Sequence, residues 1–128
     1  MRRQYYSRQV NGHELFWDVH RLIELSREFS VKEIPLTQIV ELDESYWFEA
    51  NATPTCREIA LHAQFIHETD LAYPIILSAN GRVMDGMHRV CKALVETRTT
   101  INAVQFQSDP KPDYIDADID ELPYDESW

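Results

Sequence analysis

The residues best suited to binding or catalysis lie in the segment Met84-Asp85-Gly86-Met87-His88-Arg89, where a predicted strand runs into a predicted helix. The first turn of a helix presents unpaired backbone N–H groups and a partial positive charge, which together favour a phosphate group. Gly86, Met87 and His88 offer backbone N–H groups, and the side chains of His88 and Arg89 are further donors. Gly86 also allows a ligand to approach the backbone closely. This turn is therefore predicted to bind an anion.

Two carboxylates are candidates for catalysis beside such a phosphate. Phosphoryl transfer needs a base for the attacking hydroxyl group and commonly a divalent cation on the phosphate oxygens. Asp85 is the candidate Mg²⁺ ligand. The first choice for the base is Glu41, in the acidic run Glu41-Leu42-Asp43-Glu44 that follows the apolar segment 34–40.

Each of these residues has an ordinary structural alternative. Asp85 is a good N-cap for the helix that follows it. His88 and Arg89 are typical of a solvated helix face, and Met87 is typical of a core. The acidic run beginning at Glu41 is also typical of an exposed helix start.

The flanking sequence predicts the elements that hold the turn in place. Residues 73–78 form a short apolar run typical of a buried strand, and Asn80-Gly81 is a strong signal for a tight hairpin turn into a return strand at Val83-Met84. Helical spacing begins at residue 86 and ends near residue 96, with Lys92 expected to face solvent, and residues 99–106 predict another strand. The unit is a hairpin, a helix and a strand.

Two more helices are predicted, one before and one after an aromatic cluster, Tyr46-Trp47-Phe48. Asn11, with Glu14 three positions later, resembles an N-cap for an amphipathic helix through residues 15–29. Thr55 and Glu58 fit a capping box for a second helix. Its core face is predicted from Ile59, Ala63 and Ile66. The aromatic cluster is expected in the core, with a wall for a nucleobase or small substrate as the alternative.

The segment from Tyr73-Pro74-Ile75-Ile76 through Asp85-Gly86-Met87-His88-Arg89 to Ala93 resembles the ParB/sulfiredoxin superfamily, which shares a P-I-x … D-G-x-H-R … A pattern at a nucleotide site. The run Glu33-Ile34-Pro35-Leu36-Thr37-Gln38-Ile39 is similar to the opening I-P-L-x-x-I of the same families. The resemblance implies a compact α/β (α+β) domain of ParB/sulfiredoxin type, with a small mixed sheet flanked by helices.

Departures from each branch of that superfamily narrow the implied activity. Sulfiredoxins carry a catalytic Cys before the His, where this chain has Met87, and a thioether cannot act as a thiolate nucleophile. Partition-type ParB proteins carry Gly-Glu-Arg-Arg followed by a DNA-reading helix-turn-helix. The motif is most similar to the free serine kinase branch. That resemblance implies ATP- or ADP-dependent transfer of a phosphate to a small hydroxyl substrate such as serine, with Mg²⁺ present.

Composition bounds the remaining possibilities. A chain of 128 residues with 44% hydrophobic residues can form one core. We expect a nucleotide-binding domain at residues 1–108 and an acidic extension at residues 109–128, where eight acidic residues stand against one lysine. The extension is expected to be mostly extended or loosely ordered, and it is either a solubilising tail or a partner-binding or phosphate-mimicking segment. Its apolar residues could dock it on the domain or on a second copy in a homo-oligomer: Tyr114, Ile115, Ile119, Leu122, Tyr124 and Trp128.

Three functions remain open at this point. The first is the phosphotransferase, and the second is a non-catalytic module that responds to a nucleotide, like the CTP switch of ParB proteins. A DNA-associated ParB-like nuclease is the third, and it is disfavoured because the chain has 12 basic and 22 acidic residues. Neither a membrane-spanning run nor a secretory signal is seen, so a cytoplasmic protein is expected.

Overall fold

The computed structural model describes residues 4–48, 51–118 and 121–122, and these form an α+β fold with two small sheets. The elements are β1 (Tyr5–Val10), β2 (His13–Asp18), α1 (Val19–Ser26), β3 (Lys32–Pro35), α2 (Cys56–Glu68), β4 (Ile75–Leu77), β5 (Val83–Asp85), α3 (Met87–Val95), β6 (Thr100–Gln105) and β7 (Tyr114–Ile115), with short 3-10 helices at Leu36–Gln38 and Val40–Asp43. Among the described residues, no helix has the length and apolar character needed to span a bilayer.

The larger sheet is mixed, as predicted, and has the strand order β3-β6-β4-β5. β4 and β5 form a hairpin, and α3 carries the chain back so that β6 runs parallel to β4. β3 pairs with β6 in the antiparallel sense. The smaller sheet, with the order β1-β2-β7, is antiparallel throughout and has no counterpart in the sequence prediction.

The larger sheet is buried on both faces because successive side chains along a strand point in opposite directions. Ile75 and Leu77 of β4 pack with Val90 of α3 in one apolar cluster. Ile76, between them, packs with Trp17 of β2 in a second cluster on the opposite face. The larger sheet therefore lies between α3 and the smaller sheet.

The predicted hairpin, helix and strand around the turn at residues 85–89 are confirmed. The turn closes with Gly81 N–H donating to Ser78 O at 2.9 Å and Ser78 N–H donating to Arg82 O at 2.8 Å. The following helix and strand are α3 and β6, within two residues of their predicted ends. The position of the turn between β5 and α3 is therefore well determined by local sequence signals.

The helix predicted over residues 15–29 is wrong in its first part. Asn11 and Gly12 have φ values of 53° and 80°, and they form the two-residue turn between β1 and β2. Positive φ at both central residues is the geometry that Asn-Gly favours in hairpins. The helix begins only at Val19, where the Asp18 side chain accepts a hydrogen bond from His20 N–H.

The second predicted helix is α2, but the core face predicted for it is wrong. The capping box between Thr55 and Glu58 is present in both directions. No residue of α2 is buried, however; Ile59 is 55% exposed, Ala63 is exposed and Ile66 is only half-buried. α2 is therefore held by contacts of His62 with Trp47 and His88, and by hydrogen bonds from Lys92, rather than by a buried apolar stripe.

Part of the acidic extension packs on the smaller sheet. β7 pairs with β2, and Asp113 accepts a hydrogen bond from Asp18 N–H at 2.8 Å and pairs with Arg21 at 3.0 Å. Trp17 Nε1 donates to Pro110 O at 2.9 Å. Of the predicted apolar anchors, Leu122 is buried, whereas Ile119, Tyr124 and Trp128 lie outside the described residues.

Candidate functional site

An open cleft of about 1220 Å³ lies between β1, the start of α1, the segment 41–47, the end of α2 and the turn from β5 into α3. The predicted turn residues from Asp85 to Arg89 line it, and so does Glu41, which is 44 positions before Asp85. Tyr46 and Trp47 line it as well. The structure thus places all the predicted site residues at one concave surface.

Gly86 is required by the fold itself. Its φ is 106°, a conformation that side chains rarely adopt, and a Cβ placed there would lie 2.6 Å from Ile75 Cγ2 and 2.8 Å from Arg89 Nη2. Ile75 is fully buried and has no room to retreat. The close approach that the sequence suggested for a ligand is therefore already made by Ile75 and Arg89.

Asp85 is not the N-cap of α3, contrary to the sequence-based alternative. It is the last residue of β5, and the cap position is Gly86, which has no capping side chain. Asp85 Oδ2 instead accepts a hydrogen bond from Arg89 Nη2 at 3.0 Å, one turn along. The same Nη2 lies 3.4 Å from Pro74 O. The pair fixes the turn between strand and helix.

Glu41 is almost fully buried, with 1% of its surface exposed, so it is not an exposed helix start. Its Oε2 accepts a hydrogen bond from Val83 N–H at 2.5 Å and lies 3.5 Å from Arg82 Nε. Tyr46 O–H donates to Val83 O at 3.0 Å. Because β5 is an edge strand, these two side chains satisfy backbone groups that a neighbouring strand would otherwise satisfy. Glu41 therefore has a structural role in addition to any chemical one.

Three arginines line the cleft, and each is already paired with a carboxylate. Arg8 lies 2.8 Å from Asp109, and Arg82 makes two hydrogen bonds to Glu44 at 2.7 and 3.0 Å. Arg89 pairs with Asp85, as described above. An incoming anion would therefore compete with, or join, existing ion pairs. Exposed pairs of this kind contribute little stability, so the competition is mild at Arg82.

Within the described part of the chain, three buried side-chain atoms have no hydrogen-bond partner: Arg8 Nε, Arg89 Nε and Glu41 Oε1. All three belong to residues that line the cleft. A buried polar group without a partner is unfavourable by about 1–3 kcal/mol, and a bound water or ion is one common explanation for such a group. The cleft thus combines two unsatisfied cationic donors with one unsatisfied carboxylate acceptor.

His88 is held by a residue that the sequence did not single out. His62 Nδ1 and His88 Nε2 are 2.9 Å apart, and the two rings are within 21° of parallel. The indole of Trp47 stacks on both rings, with centroid distances of 4.4 Å to each. Burial, followed by the charges of His62 and Arg89, lowers the pKa of His88 to about 4. At neutral pH, His88 is therefore a neutral ring engaged by its neighbours.

Two further side chains differ from or refine the sequence prediction. Met87 is buried in the core against the larger sheet, so only its backbone remains for a ligand. Lys92 does not face solvent freely, because its Nζ donates to His67 O at 2.9 Å and to Thr69 O at 2.6 Å at the end of α2. Lys92 satisfies carbonyl groups that the end of a helix leaves unpaired.

Asp85 does not belong to a metal-binding cluster. Among the described residues, no group of three or more His, Cys, Asp or Glu side chains could hold a metal ion, and one oxygen of Asp85 is taken by Arg89. Mg²⁺ needs only one or two protein carboxylates when substrate phosphates supply the other ligands. The residues present therefore fit a cation that arrives with a nucleotide, and they do not form a site of their own.

No family model matches the chain, and no curated protein or solved structure is significantly similar to it. The similarity to the ParB/sulfiredoxin superfamily therefore stays a prediction from the motif.

Proposed function

We propose that the cleft binds the phosphate groups of a nucleotide at the N-terminus of α3. The observation that carries this proposal is that the unsatisfied buried atoms Arg8 Nε, Arg89 Nε and Glu41 Oε1 all belong to the cleft wall. The two arginine donors complement an anion, and the N-terminus of α3 adds backbone N–H groups and a partial positive charge. The motif resemblance supports the same ligand class.

The cleft is large enough for such a ligand. Ligand sites in proteins usually have volumes of about 300–1,000 Å³, and this open cleft, at about 1220 Å³, is larger than that range. Tyr46 and Trp47 provide an aromatic wall beside the turn. An acidic chain is compatible with a small anion held by a few donors, whereas duplex nucleic acid would meet unfavourable net charge.

Phosphotransfer to a small hydroxyl substrate is the catalytic form of this proposal. Glu41 would be the base through Oε1, the oxygen that does not bind Val83 N–H, once a bound acceptor has opened access to this buried atom. Mg²⁺ bound with the nucleotide would neutralise charge on the phosphates. Arg82 Nε lies 3.5 Å from the other carboxylate oxygen, Oε2.

The first test is calorimetric titration of ATP, ADP, CTP and GTP with Mg²⁺ into the wild-type chain and the Arg89→Ala variant. Arg98→Ala is the matched control, because Arg98 pairs with Glu96 on the exposed surface and does not line the cleft. Loss of a charged hydrogen bond of about 1.5–3 kcal/mol predicts a roughly 10- to 150-fold weaker affinity for Arg89→Ala. Absence of binding by all four nucleotides would refute the proposal.

A second measurement separates the enzyme from a non-catalytic module. The Glu41→Gln variant keeps the size of the side chain and an acceptor for Val83 N–H but removes the charge. If the protein is a phosphotransferase, this variant should bind nucleotide with nearly unchanged affinity and lose turnover on a small hydroxyl acceptor such as serine. Nucleotide binding by the wild type with no phosphorylated product would instead identify the nucleotide-responsive module.

A further inference from the structure

The contact between His62 and His88 joins α2 to the first turn of α3. His62 lies on α2, which has no buried residue, and His88 lies in the first turn of α3 beside the cleft. The described contacts between these helices include the histidine pair and the hydrogen bonds from Lys92 to the end of α2. The histidine pair is therefore a main attachment of the middle of α2.

The geometry of the pair makes it a unit that shares one proton. The rings are nearly parallel, their centroids are 5.1 Å apart and their facing nitrogens are 2.9 Å apart, so they lie edge to edge rather than stacked on each other. Trp47 is equally distant from both centroids, so its indole covers the hydrogen bond itself. One facing nitrogen must carry a proton and the other must accept it.

We propose that this histidine pair is a proton-controlled latch, which holds α2 and Trp47 against α3 at neutral pH and releases them when both rings are protonated. A first added proton leaves the bond intact, because a protonated ring still donates to a neutral one. A second proton places two N–H groups and two positive charges face to face, and the bond is lost. The latch does not require a bound nucleotide, although His88 and Trp47 also line the cleft.

The charged groups around the pair favour protonation of His62 first and of His88 second. Glu58, on the same helix as His62, favours a positive charge there, although burial outweighs it and lowers the pKa of His62. Arg89 opposes a charge on His88 and helps to lower the pKa of that ring to about 4. The aromatic rings of Phe48 and Phe65, which also contact the pair, carry no charge.

The direction of the pH effect follows from these lowered pKa values. Since both rings favour the neutral form in the folded protein, their contribution to stability is complete above the pKa of an ordinary histidine, about 6.5. It is lost progressively as the pH falls from there towards about 4, the pKa of His88. Release therefore belongs to the second protonation step, at the acidic end of this range.

The test is hydrogen exchange of α2 amides together with NMR titration of the histidine rings in the full chain, from pH 7.5 to pH 3.5. After correction for intrinsic exchange rates, protection of α2 should fall at least about tenfold as His88 is protonated, which is the factor that one pKa unit represents. Amides of β4 and β6, in the core, are the internal reference and should keep their protection.

Variants on one helix make the test specific. His62→Gln offers His88 an uncharged amide that accepts a hydrogen bond from the protonated ring, so α2 should stay protected to lower pH. The matched control is His67→Gln, because His67 lies on the same helix and its side chain is exposed and outside the cluster. This control should release α2 as the wild type does.

Three results would overturn the latch. The first is a His88 midpoint near that of an ordinary histidine, and the second is unchanged α2 protection while His88 becomes protonated. The third is simultaneous loss of protection in α2 and in the core strands, because release would then be global unfolding rather than a local event. Identical pH profiles for His62→Gln and His67→Gln would also count against it.

Discussion

Replacing Gly86 by alanine should destabilise the protein far more than replacing Gly81. Both glycines have positive φ, 106° and 88°, and an alanine in such a conformation is disfavoured by about 1–2 kcal/mol. At Gly86 the new methyl group would also lie 2.6 Å from Ile75 Cγ2, and overpacking of this kind costs about 1–3 kcal/mol. Nothing lies within 4 Å of a Cβ at Gly81. The expected losses are about 2–5 kcal/mol for Gly86→Ala and about 1–2 kcal/mol for Gly81→Ala.

Urea unfolding of the two variants and the wild type measures this difference as a shift in the midpoint at constant slope. A double-mutant comparison isolates the contact between the new methyl group and Ile75 Cγ2. In an Ile75→Ala background that Cγ2 atom is absent, so Gly86→Ala no longer makes this contact. The additional cost of Gly86→Ala should fall there by about 1–3 kcal/mol, the coupling expected for residues in direct contact. Equal losses for Gly86→Ala and Gly81→Ala in the wild-type background would refute the reasoning and would return Gly86 to a purely ligand-related role.

Other changes have smaller, directional outcomes. Glu44→Gln frees Arg82 from its exposed ion pair, so calorimetry should show phosphate-bearing ligands binding no more than about fivefold tighter, and weaker binding would contradict this. Thr55→Ala removes the capping box of α2 and should reduce the free energy of unfolding by about 1 kcal/mol in urea, whereas no change would show that α2 does not unfold with the rest. Burial raises the pKa of Asp109, but hydrogen bonds from a backbone N–H and an arginine outweigh burial and lower it. Asp109→Asn should therefore be less stable than wild type at neutral pH, and the gap measured by thermal unfolding should close as the pH falls below about 4.

The strand, turn and helix around the candidate site could be predicted because their signals are local. Asn80-Gly81 specifies a tight turn, and the apolar spacing changes from strand-like to helical at residue 86. Glu41 lies in the same cleft, but its burial against Val83 does not follow from the acidic run around it. Burial of an acidic side chain depends on a backbone donor 42 positions away, which sequence spacing cannot reveal.

The helix predicted at the N-terminal hairpin is wrong because two local signals compete there. Leu15, Phe16, Val19 and Leu22 satisfy helical spacing, yet the first two lie in β2 and the others in α1. Asn11-Gly12 has the same hairpin preference as Asn80-Gly81, so the sequence does contain a local signal for the turn between β1 and β2.

The histidine pair is a contact between separate elements. His62 and His88 are 26 positions apart on different helices, and each has an unremarkable local sequence. Their meeting depends on how α2 packs on α3. The pairings of Arg8 with Asp109 and of Arg82 with Glu44 have the same origin, since the partners are 101 and 38 positions apart.

The smaller sheet has a consequence for the order in which the chain can fold. β2 pairs with β7, and contacts between residues about 90 to 103 positions apart tie the first hairpin to the segment after β6. Such high contact order slows folding, because a long loop must close before these pairings form. During synthesis, the hairpin of β1 and β2 has no β7 to pair with until residues 109–116 have left the ribosome, so the smaller sheet is completed late. The unit of β4, β5, α3 and β6, whose contacts are closer in sequence, can form earlier, so the turn at residues 85–89 can form before the smaller sheet, which carries Arg8 of the cleft wall.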